Sequence, residues 1–219
     1  MRTKVPYVVI AAAMAFVASP ARAQTQPQGA PYVGAHLGLA IFHNSDIKPE
    51  GTATVKAAWK SGFAFGLDVG YKFTENVRVE GEVSYKKNDV DTIAGQAVTS
   101  GDLTAWGFMA NAYYDFTQAK MPVTPFAGVG LGAVRGKVSS PSVANGGLGD
   151  QTDTEFGYQL TLGFSYALSP QASLYACYRY QGSSDLSFTV SDPAAGGPPT
   201  KVKISYGASN ILAGLNYSF

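Results

Sequence analysis

From Pro31 to Phe219 apolar and polar residues alternate along most of the chain, the spacing of a pleated strand with two unlike faces. In "EFGYQLTLGFSYAL" the row Phe156, Tyr158, Leu160, Leu162, Phe164, Tyr166 and Leu168 opposes Glu155, Gly157, Gln159, Thr161, Gly163, Ser165 and Ala167. "SGFAFGLDVGYKF" sets Phe63, Phe65, Leu67, Val69, Tyr71 and Phe73 against Gly62, Ala64, Gly66, Asp68, Gly70 and Lys72. "VRVEGEVSYKK" follows, with Val77, Val79, Val83 and Tyr85 against Arg78, Glu80, Glu82, Ser84 and Lys86. Weaker alternation predicts strands over Tyr32 to Phe42, Leu103 to Phe116, Pro125 to Val138, Ala172 to Gln181 and Gly207 to Phe219, eight in all.

The connections take turns in length. Thr74 to Asn76, Thr117 to Val123 and Ser169 to Gln171 are short, whereas His43 to Ser61, Asn88 to Asp102, Ser139 to Thr154 and Gly182 to Tyr206 are long and rich in Gly, Ser, Pro and charge. An up-and-down sheet then carries every long loop at one end and both termini at the other. Short turns on one side and long loops on the other are how outer-membrane barrels are built. Phe156 to Tyr178 holds 23 residues without a charge, long enough for a membrane helix. Ser169-Pro170-Gln171 breaks that run and its polar residues fall at period two, so a hairpin through the membrane fits better.

A soluble β-sandwich or lipocalin-like barrel also alternates, and the direction of the faces separates the two. The face opposite the apolar rows carries Asp68, Lys72, Arg78, Glu80, Glu82, Asn111, Asp115, Glu155, Gln159 and Arg179 with many glycines. A polar, Gly-rich face suits a crowded narrow lumen, and an aromatic-bordered face suits lipid. The expected fold class is all-β: an eight-stranded antiparallel up-and-down transmembrane barrel.

The first residues stand apart. Arg2 and Lys4, the apolar run Val5 to Ala18 and Ala21-Arg22-Ala23 have the order of a secretory signal peptide, which predicts export, cleavage after Ala23 and a single barrel domain over 24–219. Loss of Arg2, Lys4 and Arg22 leaves 13 basic against 15 acidic residues, a net charge near −2. No basic tract points to nucleic acid. Cys177 is the single cysteine, so neither a disulfide framework nor a Cys-rich metal site is expected. Charged residues make up 14%, with 25 Gly, 13 Tyr and 12 Phe, and the mean hydropathy of 0.00 is far below that of a helical membrane protein.

"PYVGAHLGLA", "MANAYYDF", "PFAGVGLGAVRG", "YRYQG" and the final "LAGLNYSF" resemble the small OmpA-like and opacity-type outer-membrane proteins of Gram-negative bacteria, the porin family in the broad sense. The resemblance covers essentially the whole mature chain. It implies an eight-stranded barrel in the outer membrane, with a structural, surface-interaction or weak pore role and no cofactor. It also implies that Gly214, Tyr217 and Phe219 form an assembly signal read by the barrel-insertion machinery, with Leu212 departing from the polar residue preferred there. Aromatics resting in the membrane interface predict the same positions. Unlike OmpA itself, the chain shows no periplasmic cell-wall-binding domain after the barrel, so no peptidoglycan tether is expected.

An eight-stranded barrel is just wide enough for its side chains to fill, and opposite charges confined inside should pair. The expected lumen network is Asp68, Lys72, Arg78, Glu80, Glu82, Asp115 and Arg179, with Arg78 paired to Asp115 and Lys72 reaching diagonally to Glu80. The alternative is a small porin in which Arg78, Glu80, Glu82 and Arg179 set ion preference along a narrow or gated path. His36 is expected to face the lumen as a hydrogen-bonded structural residue, since no second His or Cys accompanies it at ligand spacing. Cys177 is expected to be an inert inward thiol. "FHNSD" places His43, Ser45 and Asp46 together, the residue types of a lipid A-modifying hydrolase or acyltransferase, but adjacency on a loop does not hold a base to a nucleophile. No catalytic, cofactor or metal residue is therefore assigned. Expected partners are outer-membrane lipid and lipopolysaccharide, and an extracellular ligand or host surface through loops such as "SVANGGLGDQTDT" and "SDPAAGGPPTK".

Overall fold

The computed structural model describes residues 28–43, 45–49, 55–59, 61–93, 96–97, 102–118, 122–139, 142–143, 146–147, 151–190, 200–204 and 206–219. The proposed signal peptide, residues 1–23, lies outside them. Eight long strands, β1 (Ala30–Phe42), β2 (Gly62–Lys72), β3 (Val77–Ile93), β4 (Asp102–Asp115), β5 (Val123–Ser139), β6 (Gln151–Ala167), β7 (Ala172–Ser183) and β8 (Gly207–Ser218), run antiparallel in chain order. β1 pairs with β8 from Tyr32↔Ser218 to Phe42↔Ala208, which closes the barrel and leaves no long edge.

Burial alternates along each strand, and the apolar rows point outward. Leu162 is 63% exposed and Phe164 59%, while inward Gln159 and Arg179 are 1% and 2% exposed. Such an inversion is stable only if the outside is hydrocarbon, because it leaves Leu37, Leu67, Val69 and Val129 exposed and buries four acids. Aromatic pairs border the apolar band at both ends. Tyr71–Phe73, Tyr114–Phe116 and Tyr217–Phe219 pack edge to face beside the short turns; Phe63–Tyr85 and Tyr85–Trp106 sit toward the long loops. Ring positions at two levels suit the two membrane interfaces.

The short turns are closed by their own side chains. Thr74 Oγ1 accepts from the backbone N–H of Asn76 and Val77 at 3.2 and 3.0 Å, and Ser169 Oγ accepts from that of Ala172 at 2.9 Å. The opposite end is more ordered than the sequence pattern predicts. β3 continues past Lys87 to Ile93, and Val55–Trp59, Ser45–Pro49, Thr200–Ile204 and Leu186–Val190 add to it in that order as a sheet above the barrel. These segments, expected as loop, are strands: "TKVKI" alternates β-branched residues with lysine, and "LSFTV" combines an aromatic with two β-branched residues. Five residues are too few for that period to stand out against their Gly- and Pro-rich flanks.

Candidate functional site

The interior is built from cross-strand pairs in which one partner is large and the other is glycine. Tyr32 lies opposite Gly70 and His36 opposite Gly66; Tyr113 lies opposite Gly128 and Asn111 opposite Gly130; Tyr175 lies opposite Gly214. A methyl group on Gly70, Gly128 or Gly214 would enter the facing tyrosine ring. Glycine is thus what lets each of these side chains lie flat across a lumen this narrow.

At the turn end, Arg78 Nε donates to Asp115 Oδ1 at 3.2 Å, and its Nη1 donates to Glu80 Oε2 at 3.3 Å and to the Tyr32 hydroxyl at 3.2 Å. The guanidinium lies 4.0 Å from the centre of the Tyr113 ring. Tyr32 and Tyr113 each donate to Glu80, at 2.9 and 3.3 Å. Lys72 does not complete the expected bridge to Glu80. The register sets it beside Arg78, its opposite-charge neighbours are Asp115 and Glu75, and the shorter reach of Arg78 fills the Glu80 carboxylate.

Midway, Arg179 Nη1 donates to Glu82 Oε2 at 2.6 Å, spanning the lumen from β7 to β3. The same oxygen accepts from Gln159 at 3.2 Å and Asn111 at 3.3 Å, and Arg179 also donates to Thr161 Oγ1 and the Tyr113 hydroxyl, both at 3.2 Å. Above it, Lys86 Nζ donates to Gln181 Oε1 at 2.7 Å, as does the Tyr206 hydroxyl at 3.2 Å. Phe42, Ala105, Val134, Leu186, Tyr206 and Ala208 then pack as an apolar cluster at the long-loop mouth. Lys86, Gln181, Tyr32 and Tyr113 were not assigned to the network from sequence, although each shares the inward parity of an assigned neighbour.

His36 Nδ1 and Asp68 Oδ2 are 3.0 Å apart. Together with Glu82 they offer donor atoms within 4.8 Å of one another, all buried. The donor set suits a cation poorly, since the Arg179 guanidinium, 2.6 Å from Glu82 Oε2, already balances that carboxylate and would repel a second positive charge beside it. Cys177 is buried and packs with Leu212, Tyr113 and Phe126. Leu212 faces inward at 2% exposure, so the position that departs from the terminal pattern is a packing residue of the lumen. Tyr217 and Phe219 face outward. His43 is bonded through Nε2 to Ser209 Oγ at 2.9 Å. The side chains of Ser45 and Asp46 lie outside the described residues.

The chain matches the family described as "Outer membrane protein beta-barrel domain" over residues 9–219. It is 33% identical over 145 residues to an outer membrane protein of Gluconacetobacter diazotrophicus, a match that takes in 59% of this chain and 38% of that protein; the chain thus spans well under half the length of that relative. It is 24% identical over 206 residues to outer membrane protein PagN of Salmonella typhimurium, covering 83% of each. The fold resembles that of the outer membrane protein OprG from Pseudomonas aeruginosa, with a TM-score of 0.68 at 21% identity over 90% of this chain and 98% of that one. The proteins it resembles are mainly outer-membrane barrels whose names carry no catalytic activity.

Proposed function

Because the chain belongs to the outer-membrane β-barrel family and resides in the bacterial outer membrane, we propose that it is a closed, non-enzymatic barrel that supports the envelope and meets partners through the sheet above its mouth. The observation that carries this reading is the lumen filling. Arg179–Glu82 crosses the interior between strands that are not neighbours, Arg78–Asp115 pairs neighbouring strands at the turn end below it, and the Leu186 cluster lies over them. A water path would have to part a buried ion pair, and an unpaired charge left behind costs about 3–5 kcal/mol.

On this reading Asp68, Lys72, Arg78, Glu80, Glu82, Asp115 and Arg179 stabilise the barrel instead of sorting ions. Residues 1–23 direct export and are removed, leaving the barrel over 24–219. Outer-membrane lipid and lipopolysaccharide surround it, the insertion machinery reads its last strand, and an extracellular ligand or host surface meets the long-loop end.

The test is conductance in planar bilayers. The closed-barrel reading expects no discrete current steps from the folded chain. Steps that vanish in Arg78→Gln or Glu82→Gln would overturn it in favour of a narrow porin. Lipid A acyl-chain number in cells with and without the protein tests the non-enzymatic part: no change is expected, and a change in acylation refutes it.

A further inference from the structure

We propose that Asp68, Asn216 and Ser173 hold one small monovalent cation, of the size of sodium, over Gly34 toward the turn end of the lumen. This goes beyond the closed-barrel reading, and it stands or falls separately from whether the lumen conducts. Three observations carry it.

The first is a row of inward positions at one level. Ser173 on β7 lies opposite Asn216 on β8, Asn216 opposite Gly34 on β1, Gly34 opposite Asp68 on β2, and Asp68 opposite Glu82 on β3. Gly34 is the member without a side chain, and its neighbours lean over it. A Cβ there would run into Asn216 Oδ1 and come within 3.2 Å of Asp68 Oδ2. Asp68 thus has Glu82, already held by Arg179, on one side. On its other side it has the glycine gap, with the oxygens of Asn216 and Ser173 beyond.

The second is a set of oxygens left over. Asp68 is 3% exposed and Asn216 8%, yet neither Asp68 Oδ1 nor Asn216 Oδ1 accepts a hydrogen bond from the described residues. Every buried side-chain atom left unpartnered among those residues is an acceptor oxygen. A surplus of acceptors calls for a donor or a cation, because a buried acceptor has lost its water. Carboxylate, amide carbonyl and hydroxyl oxygens are the ligands that hard cations take.

The third is charge. Glu80 and Asp115 share Arg78, and Glu82 has Arg179. Among the described residues the ion-pair contact of Asp68 is with His36, and Glu80 lies close enough to repel it. Of the four lumen acids Asp68 is therefore the one that no arginine balances, and a buried carboxylate without a partner favours a counter-ion. One carboxylate among neutral oxygens balances one positive charge, which sets the class as monovalent. Ser173 and Ser218 are the inward residues nearest the turn end on β7 and β8, so an ion entering from that end passes hydroxyls.

The experiment follows urea unfolding of the folded full chain in lipid vesicles, in sodium chloride and in N-methylglucamine chloride at equal ionic strength. For one site, the folded-to-unfolded ratio should rise by up to about tenfold for each tenfold rise in sodium, and stay flat in the bulkier cation. Asp68→Asn, which keeps the shape and removes the charge, should abolish the difference between the two salts. So should Gly34→Ala, whose methyl group would meet the Asn216 carbonyl. Each variant is compared with itself in the two salts, so a change in basal stability does not imitate the effect. If neither variant folds, Asn216→Leu is measured, with the same loss expected. Equal stability of the unaltered chain in both salts would leave His36 or water to satisfy Asp68 and overturns the proposal. A sodium effect that survives in folded Asp68→Asn overturns it as well.

Discussion

Arg179 and Glu82 meet at 2.6 Å from strands that are not neighbours, 97 positions apart in the chain. The pair ties the two walls of the barrel together through its middle. Both side chains are almost wholly buried, at 2% and 0% exposure, so removing either one strands a charge where water does not reach it. Glu82→Leu or Arg179→Met alone should destabilise the folded barrel by about 3–5 kcal/mol, and the two together by much less than the sum. Urea unfolding in lipid vesicles measures this. Additive losses would show that the two groups act independently.

The glycine and tyrosine pairing makes a steric prediction. Gly70→Val places a branched side chain where the Tyr32 ring lies. Overpacking of that kind costs about 1–3 kcal/mol, and Tyr32→Ala in the same chain should recover part of it. The same urea titration reads both variants. No loss in Gly70→Val would mean that the lumen has slack.

Leu186 is 1% exposed within the mouth cluster, and Asp153 Oδ2 accepts from the Ser187 backbone N–H at 2.7 Å nearby. Leu186→Asp would put a charge among Phe42, Val134 and Ala208. The Leu186–Val190 and Thr200–Ile204 hairpin should then be cut faster by limited proteolysis, while the barrel below keeps its heat-modifiable migration. Equal cutting rates would show that the cluster does not hold the hairpin down.

Phe219 is outward and 69% exposed, with its ring 5.5 Å from that of Tyr217. Its contribution to the packed interior is small. Phe219→Ser should therefore lower the amount of barrel assembled in cells while changing the stability of refolded protein by under about 1 kcal/mol. A matching fall in both would assign Phe219 to packing instead of to recognition by the insertion machinery.

The eight barrel strands and the direction of their faces were legible because a long strand repeats its period many times, as Phe156 to Leu168 does. Arg78 with Asp115 was legible for a similar reason: both sit next to turns whose lengths fix the register. Arg179 with Glu82 was not, because contacts across a lumen depend on barrel radius and strand stagger, which no local pattern encodes. Lys72 does not take Glu80 because the register sets Arg78 beside it and Arg78 already donates to that carboxylate. Leu212 looked like a departure from a terminal motif and is a packing residue, which its inward parity with Asn210 and Gly214 could have indicated. The sheet above the mouth escaped because each of its added strands is five residues long.

The central claim is that the apolar rows face hydrocarbon and the charged rows face the lumen. Nuclear Overhauser spectra of the folded chain in lipid nanodiscs test it without altering a residue. Acyl-chain methylenes should give cross-peaks to the methyl groups of Leu37, Val129, Leu160 and Leu162, and none to those of Thr161, Val134 and Leu212. Acyl cross-peaks to Thr161 and Leu212, with water cross-peaks to Leu160 and Leu162, would contradict it.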